Sequence, residues 1–90
     1  MGFEFDQHKS AINKNKHGID FLEAQALWKD PNVVTVPIEV DIERRFMIIG
    51  TIDGKYWSAV VTYRSENVRL ISVRRSRRNE VKIYEKAQKI

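Results

Sequence analysis

Six arginines fall within fifteen residues: Arg64, Arg69, Arg74, Arg75, Arg77 and Arg78. A guanidinium keeps its charge at any working pH and presents a planar fork of donors that matches phosphate oxygens. Residues 64–90 hold nine Lys/Arg against three Asp/Glu, whereas residues 1–63 hold seven against nine. The net charge of +4 is therefore concentrated in the last third of the chain, as expected of a face that meets nucleic acid. A solvated basic helix would produce the same imbalance without a partner.

Among the groups that titrate near neutrality, His17 in Lys16-His17-Gly18 is the candidate general acid or base. A histidine bonded to the last carbonyls of a helix is the structural alternative. His8 sits among polar neighbours and reads as surface. Glu23 could serve as a base, but its spacing from Asp20 already explains it as a helix cap. Tyr63 and Tyr84 could donate to a phosphate or pack as core aromatics, and Trp28 and Trp57 read as core. Glu80 could pair with an arginine or favour the positive end of a helix.

Several chemistries are missing from the chain. It has no P-loop, no glycine-rich dinucleotide motif, no H-E-x-x-H and no nucleophile elbow. With no cysteine, thiol nucleophiles, disulfide scaffolds and zinc ribbons are excluded. Acidic residues never gather as a two-metal site requires, and Asp41 with Glu43 is an isolated pair. No metal and no cofactor is expected. Phosphodiester cleavage by this chain would then be metal-independent, which points to RNA, whose 2′-hydroxyl is a built-in nucleophile.

The elements that would position these groups follow from patterning. Phe3-Glu4-Phe5 alternates like a short strand, and Asp6 can cap a helix over about Gln7–Lys16 that Gly18 ends. Asp20 and Glu23 begin a second helix of about Phe21–Trp28, closed by Asp30-Pro31. Val33–Val36 is a candidate edge strand before Pro37. Asp53-Gly54 predicts a hairpin of Glu43–Ile52 with Lys55–Arg64, with Gly50 facing Trp57, Ile48 facing Ala59, Phe46 facing Val61 and Arg44 facing Tyr63. Asn67–Arg74 is a further strand, its register dependent on the length of the Ser65-Glu66-Asn67 turn. Ser76 can cap a last helix over about Arg77–Gln88, with Val81, Tyr84 and Ala87 inward. Helices and strands in separate blocks define an α+β fold: a small antiparallel sheet of three to four main strands, two N-terminal helices and one C-terminal helix. Ninety residues, 42% of them hydrophobic and 31% charged, suit one domain over 1–90. The absence of a membrane-length apolar run or a signal-peptide pattern makes a cytoplasmic protein the expectation.

In this arrangement Arg64, Arg69, Arg74 and Arg75 lie at strand ends beside the start of the last helix. The expectation is one anion pocket shared by these guanidinium groups.

Phe3-Glu4-Phe5-Asp6, Asn13-x-x-Lys16-His17-Gly18-Ile19-x-Phe21-x-Glu23-Ala24 and Asp30-Pro31 resemble the BrnT family of type II toxins. The resemblance continues through Arg45-Phe46-x-x-Ile49-Gly50, Thr62-Tyr63-Arg64, Arg69-Leu70-Ile71-Ser72-Val73-Arg74-Arg75 and Glu80-x-x-x-Tyr84. It implies a RelE-like ribonuclease fold and a toxin that cleaves RNA. It also implies neutralisation by an adjacent BrnA-like ribbon-helix-helix antitoxin, the complex binding operator DNA through that partner. Carried over by position, it singles out His17, Arg64, Arg69, Arg74 and Tyr84. We expect His17, Arg64, Arg74 and Tyr84 to be catalytic, and Arg69, Arg75, Arg77 and Arg78 to bind RNA. The assignment of acid and base stays open. The alternatives are a non-catalytic nucleic-acid-binding module and a toxin that acts on a protein target.

Overall fold

The computed structural model describes residues 2–38 and 43–89. Asp53 and Gly54 both have positive φ, 51° and 77°, in the two-residue turn whose twist matches the strands it joins. The turn sets β3 (Arg45–Ile52) against β4 (Lys55–Arg64) with Gly50 opposite Trp57, Ile48 opposite Ala59 and Phe46 opposite Val61, as expected. Glu43 and Arg44 precede β3 instead of extending it. The Arg44 carbonyl is held there by Thr62 Oγ1, which donates to it at 2.8 Å.

β5 (Asn67–Arg75) follows a two-residue turn, Ser65-Glu66, and pairs antiparallel with β4. Thr62 faces Arg69 and Val61 faces Leu70, but Val60 then faces Ser72. Ile71 has no opposite number, so β5 carries a bulge there. One unpaired residue reverses the parity of side chains beyond it. Val68, Leu70 and Val73 therefore share one sheet face, and Arg69 and Arg74 share the other, in spite of their odd spacing.

β2 (Val34–Ile38) lies antiparallel on the far edge of β3, where Pro37 is tolerated. β1 (Phe3–Glu4) lies parallel on the near edge of β5. The sheet thus has five strands in the order β1-β5-β4-β3-β2 and is mixed. The expected three to four antiparallel strands are corrected by the parallel β1. Two residues are too few to announce a pairing partner.

Helix α1 (Gln7–His17) begins where Asp6 accepts from the Lys9 N–H at 3.1 Å. It ends at Gly18, φ 80°, whose N–H donates to the Lys14 carbonyl. The segment expected as a second α-helix is a 3-10 helix over Glu23–Lys29. Its cap is as expected, with Glu23 N donating to Asp20 Oδ1 at 2.7 Å and Asp20 N to Glu23 Oε1 at 3.0 Å. Phe21, Ala24 and Leu27 recur every third residue, and three residues per turn aligns them along one line facing the sheet. Gly50 lies beneath that line. A Cβ there would meet Leu27 Cδ2 at 3.1 Å and Asp30 Oδ2 at 3.3 Å, so a side chain at this position would oblige those neighbours to shift by a few tenths of an ångström.

The core is the layer between this 3-10 helix and the sheet: Ile19, Phe21, Ala24 and Leu27 above Ile48, Ala59, Val61, Val68, Leu70 and Val73. Burying a side chain such as Leu27 contributes about 1.5–3 kcal/mol. Among the described residues, the other face of the sheet receives α2 (Arg78–Ala87), which covers one end of it. Two expectations about α2 are corrected. Ser76 does not cap it, because its hydroxyl bonds the Ser58 hydroxyl at 2.7 Å and Arg77 occupies the N-cap. Its buried positions are Glu80 and Tyr84, while Val81 is half-buried and Ala87 exposed. Glu80 meets Ser58 and Arg74 on the sheet, and the Tyr84 ring meets Tyr56 edge to face at 5.4 Å, so the inward stripe mixes polar and aromatic groups. Among the described residues no helix is long and apolar enough to cross a membrane.

Candidate functional site

Strand alternation places Arg64 and Arg69 on the sheet face that α2 leaves open, and Arg74 on the same face where α2 begins. Arg45, which sequence reasoning did not select, joins them two residues before Met47 on β3. Its signal was available in the hairpin register, which sets Arg45 on the face of Thr62. Arg75 lies on the opposite face, with its guanidinium 5.4 Å over the Trp57 ring and Nε donating to the Tyr56 carbonyl. Arg77 and Arg78 are exposed at the start of α2.

The expected shared anion pocket is not formed. Arg74 stands opposite Ser58, and Arg64 lies six residues further along β4, about 20 Å at the usual strand rise. Arg69, opposite Thr62, is about 13 Å from the Arg74 row by the same measure. Each guanidinium also has its own carboxylate: Arg64 with Glu43 at 3.6 Å, Arg69 with Glu4 at 3.4 Å and Arg74 with Glu80 at 2.7 Å. The arginines form a spaced track. Arg64 is more than half exposed, and ion pairs of that kind are weak enough to exchange for a phosphate.

Arg74 is held differently. Its Nη1 and Nη2 donate to Glu80 Oε1 and Oε2 at 2.8 and 2.7 Å, a two-pronged contact. Glu80 is 5% exposed and also accepts from Ser58 Oγ at 2.9 Å and the Arg77 N–H at 2.9 Å. The Arg74 contact, joined by those donors, outweighs burial and brings the Glu80 carboxyl down to about 2. Arg74 Nη1 further donates to the Arg75 carbonyl at 3.2 Å. Three of its five N–H groups are thereby used, leaving Nε–H and one Nη2–H without a partner among the described residues.

Tyr84, one turn beyond Glu80, donates its hydroxyl to Asp30 Oδ2 at 2.8 Å. Burial, together with this bond to a carboxylate, pushes the phenol above its ordinary value. Asp30 also accepts from the Asn32 N–H, the Thr51 N–H and the Thr51 hydroxyl. Burial raises the Asp30 carboxyl, but these donors together hold it below the ordinary range. Gln88 Nε2 donates to the Asn32 carbonyl at 3.2 Å, so the far end of α2 is tied to the same turn.

His17 is half-buried at the end of α1. No hydrogen bond or ion pair joins it to an arginine among the described residues. Its neighbour Gly18 lines a shallow cleft of about 370 Å³ with Ile19, Glu23, Lys55 and Trp57. Glu23 is engaged by Lys14 at 2.8 Å. Asp41 of the Asp41/Glu43 pair lies outside the described residues.

The model of the ribonuclease toxin BrnT of type II toxin–antitoxin systems matches residues 5–80, and the chain belongs to this family. The matched segment contains His17 and all six clustered arginines, and it ends at Glu80, four residues before Tyr84. No curated protein sequence matches the chain. The family is one of toxins that act as ribonucleases and are paired with an antitoxin.

Proposed function

We propose that this chain is a metal-independent endoribonuclease of the cytoplasm, one domain over residues 1–90, and that a BrnA-like ribbon-helix-helix antitoxin neutralises it and carries the complex to operator DNA. The observation that carries the reading is Arg74, a guanidinium oriented by Glu80 with two donors still to give. A phosphate held there would develop charge as the RNA 2′-oxygen bonds to phosphorus and the 5′-oxygen leaves. The 2′-hydroxyl gives up one proton and the leaving oxygen takes one. His17 is the candidate carrier for one of these transfers.

Arg64 and Arg69 would hold flanking phosphates, and Arg77 and Arg78 would add positive charge at the rim. Tyr84, committed to Asp30, would brace α2. Metal independence is supported by the engagement of the carboxylates: Glu80 with Arg74, Asp30 with Tyr84 and Thr51, and Glu23 with Lys14. Purified protein incubated with RNA and excess chelator should cleave it, and cleavage that requires added divalent ion would refute the metal-free reading.

The wide spacing of Arg64, Arg69 and Arg74 favours one second reading, a module that tracks the RNA backbone without cutting it. Salt-sensitive binding with intact RNA would establish that reading.

A further inference from the structure

We propose that Glu80 and Ser58 are positioning residues for Arg74, and that together they turn it into a preorganised phosphate fork. The inference rests on the ribonuclease reading above. Glu80 has a built-in reason to be charged and fixed, because four donors from three chain segments converge on it: two from Arg74, one from Ser58 and one from the Arg77 backbone. Ser58 is itself 1% exposed and is bonded to Ser76, so the acceptor cannot swing. The carboxylate occupies the two terminal nitrogens of the guanidinium, and the Arg75 carbonyl takes a third N–H.

The Nε–H and the second Nη2–H remain, on a side chain 24% exposed. A free arginine must lose the freedom of four side-chain torsions before both donors can meet one phosphate. Arg74 has lost that freedom on folding, and this is how a fixed donor favours a transition state over a flexible substrate. Arg64, whose partner Glu43 stands at 3.6 Å on an exposed surface, has no such brace. The charge of Glu80 offsets part of the positive charge of the guanidinium, and what the carboxylate supplies in return is fixed geometry.

Glu80→Gln keeps the size of the side chain and removes the matched pair of acceptors. Measured in a double-mutant cycle with Arg74→Ala, Glu80→Gln should lower kcat for RNA cleavage at least tenfold, with KM changed less. In the Arg74→Ala background the same substitution should change kcat by less than twofold. An equal loss in both backgrounds would overturn the proposal, since Glu80 would then act on the fold and not through Arg74.

Ser58→Ala gives a second test should Glu80→Gln fold poorly, with a smaller kcat loss that again vanishes without Arg74. Its persistence without Arg74 would also count against the idea. A readout free of turnover is the 15N–1H resonance of Arg74 Nε. It should be sharp in the wild-type protein, move on addition of an uncleavable 2′-O-methyl RNA, and broaden in Glu80→Gln. A resonance unaltered by Glu80→Gln refutes positioning. A wild-type resonance that moves with RNA while no RNA is cut leaves positioning intact and removes the ribonuclease reading instead.

Discussion

Asn13 closes the free edge of β5 at Val73. Its Nδ2 donates to the Val73 carbonyl at 2.9 Å and its Oδ1 accepts from the Val73 N–H at 3.1 Å, so one side chain pairs as a neighbouring strand would. The same Nδ2 donates to the Ile19 carbonyl at 2.8 Å, which ties the exit of α1 to the sheet. β1 has already ended at Glu4, and without Asn13 the edge of β5 at Val73 would have no strand beside it.

Replacing Asn13 by Ala should therefore cost about 2–4 kcal/mol, because three backbone groups in a buried place lose their partner. Denaturant unfolding measures this. A loss below about 1 kcal/mol would show that water replaces the amide.

Glu80 makes stability depend on acid. Its folded value near 2 lies below the ordinary 4.5, so its contribution is complete above about pH 4.5 and is lost as pH falls through the folded value. The full loss is on the order of 3 kcal/mol. Thermal melts between pH 6 and pH 2 should show the wild type losing more than Glu80→Gln over this window. Parallel curves would contradict the assignment.

Arg74 and Arg64 should separate kinetically. Arg74→Ala is expected to lower RNA cleavage by the folded protein about 100-fold or more, the scale of losing one preorganised donor, and to lower Tm as well, because Glu80 is left buried without its main partner. Arg64→Ala should keep turnover within a few-fold and reduce the salt slope of RNA binding by about one. Equal kinetic losses from the two would dismiss the distinction drawn from their ion pairs.

Tyr84→Phe removes a hydroxyl donor from Asp30 and should destabilise the protein by about 1–2 kcal/mol. With the protein kept folded, kcat should hold near the wild-type value. A kcat loss at unchanged stability would return Tyr84 to proton transfer.

Legibility in the sequence followed locality. Asp53-Gly54 is a contiguous pair with one preferred geometry, so the whole β3–β4 register could be read from it. Gly18 and the Asp20–Glu23 cap were equally local. The β5 faces were not readable, because the bulge at Ile71 depends on how Val68, Leu70 and Val73 all reach the same apolar layer. On α2 the hydrophobic pattern finds Tyr84 but not Glu80, and it sets Val81 and Ala87 inward instead, because Glu80 is buried by Arg74 and Ser58, partners that such a pattern does not reveal. The arginines were found by composition, whereas their spacing along the sheet required the topology.

The unpaired Ile71 makes the last strand a splice of two half-strands out of phase. Losing that one residue would exchange greasy and charged sides for everything downstream, sending Val73 to water and Arg74 toward the apolar layer, with α2 pulled along. A slip of a single codon there would thus erase fold and charge track in one step.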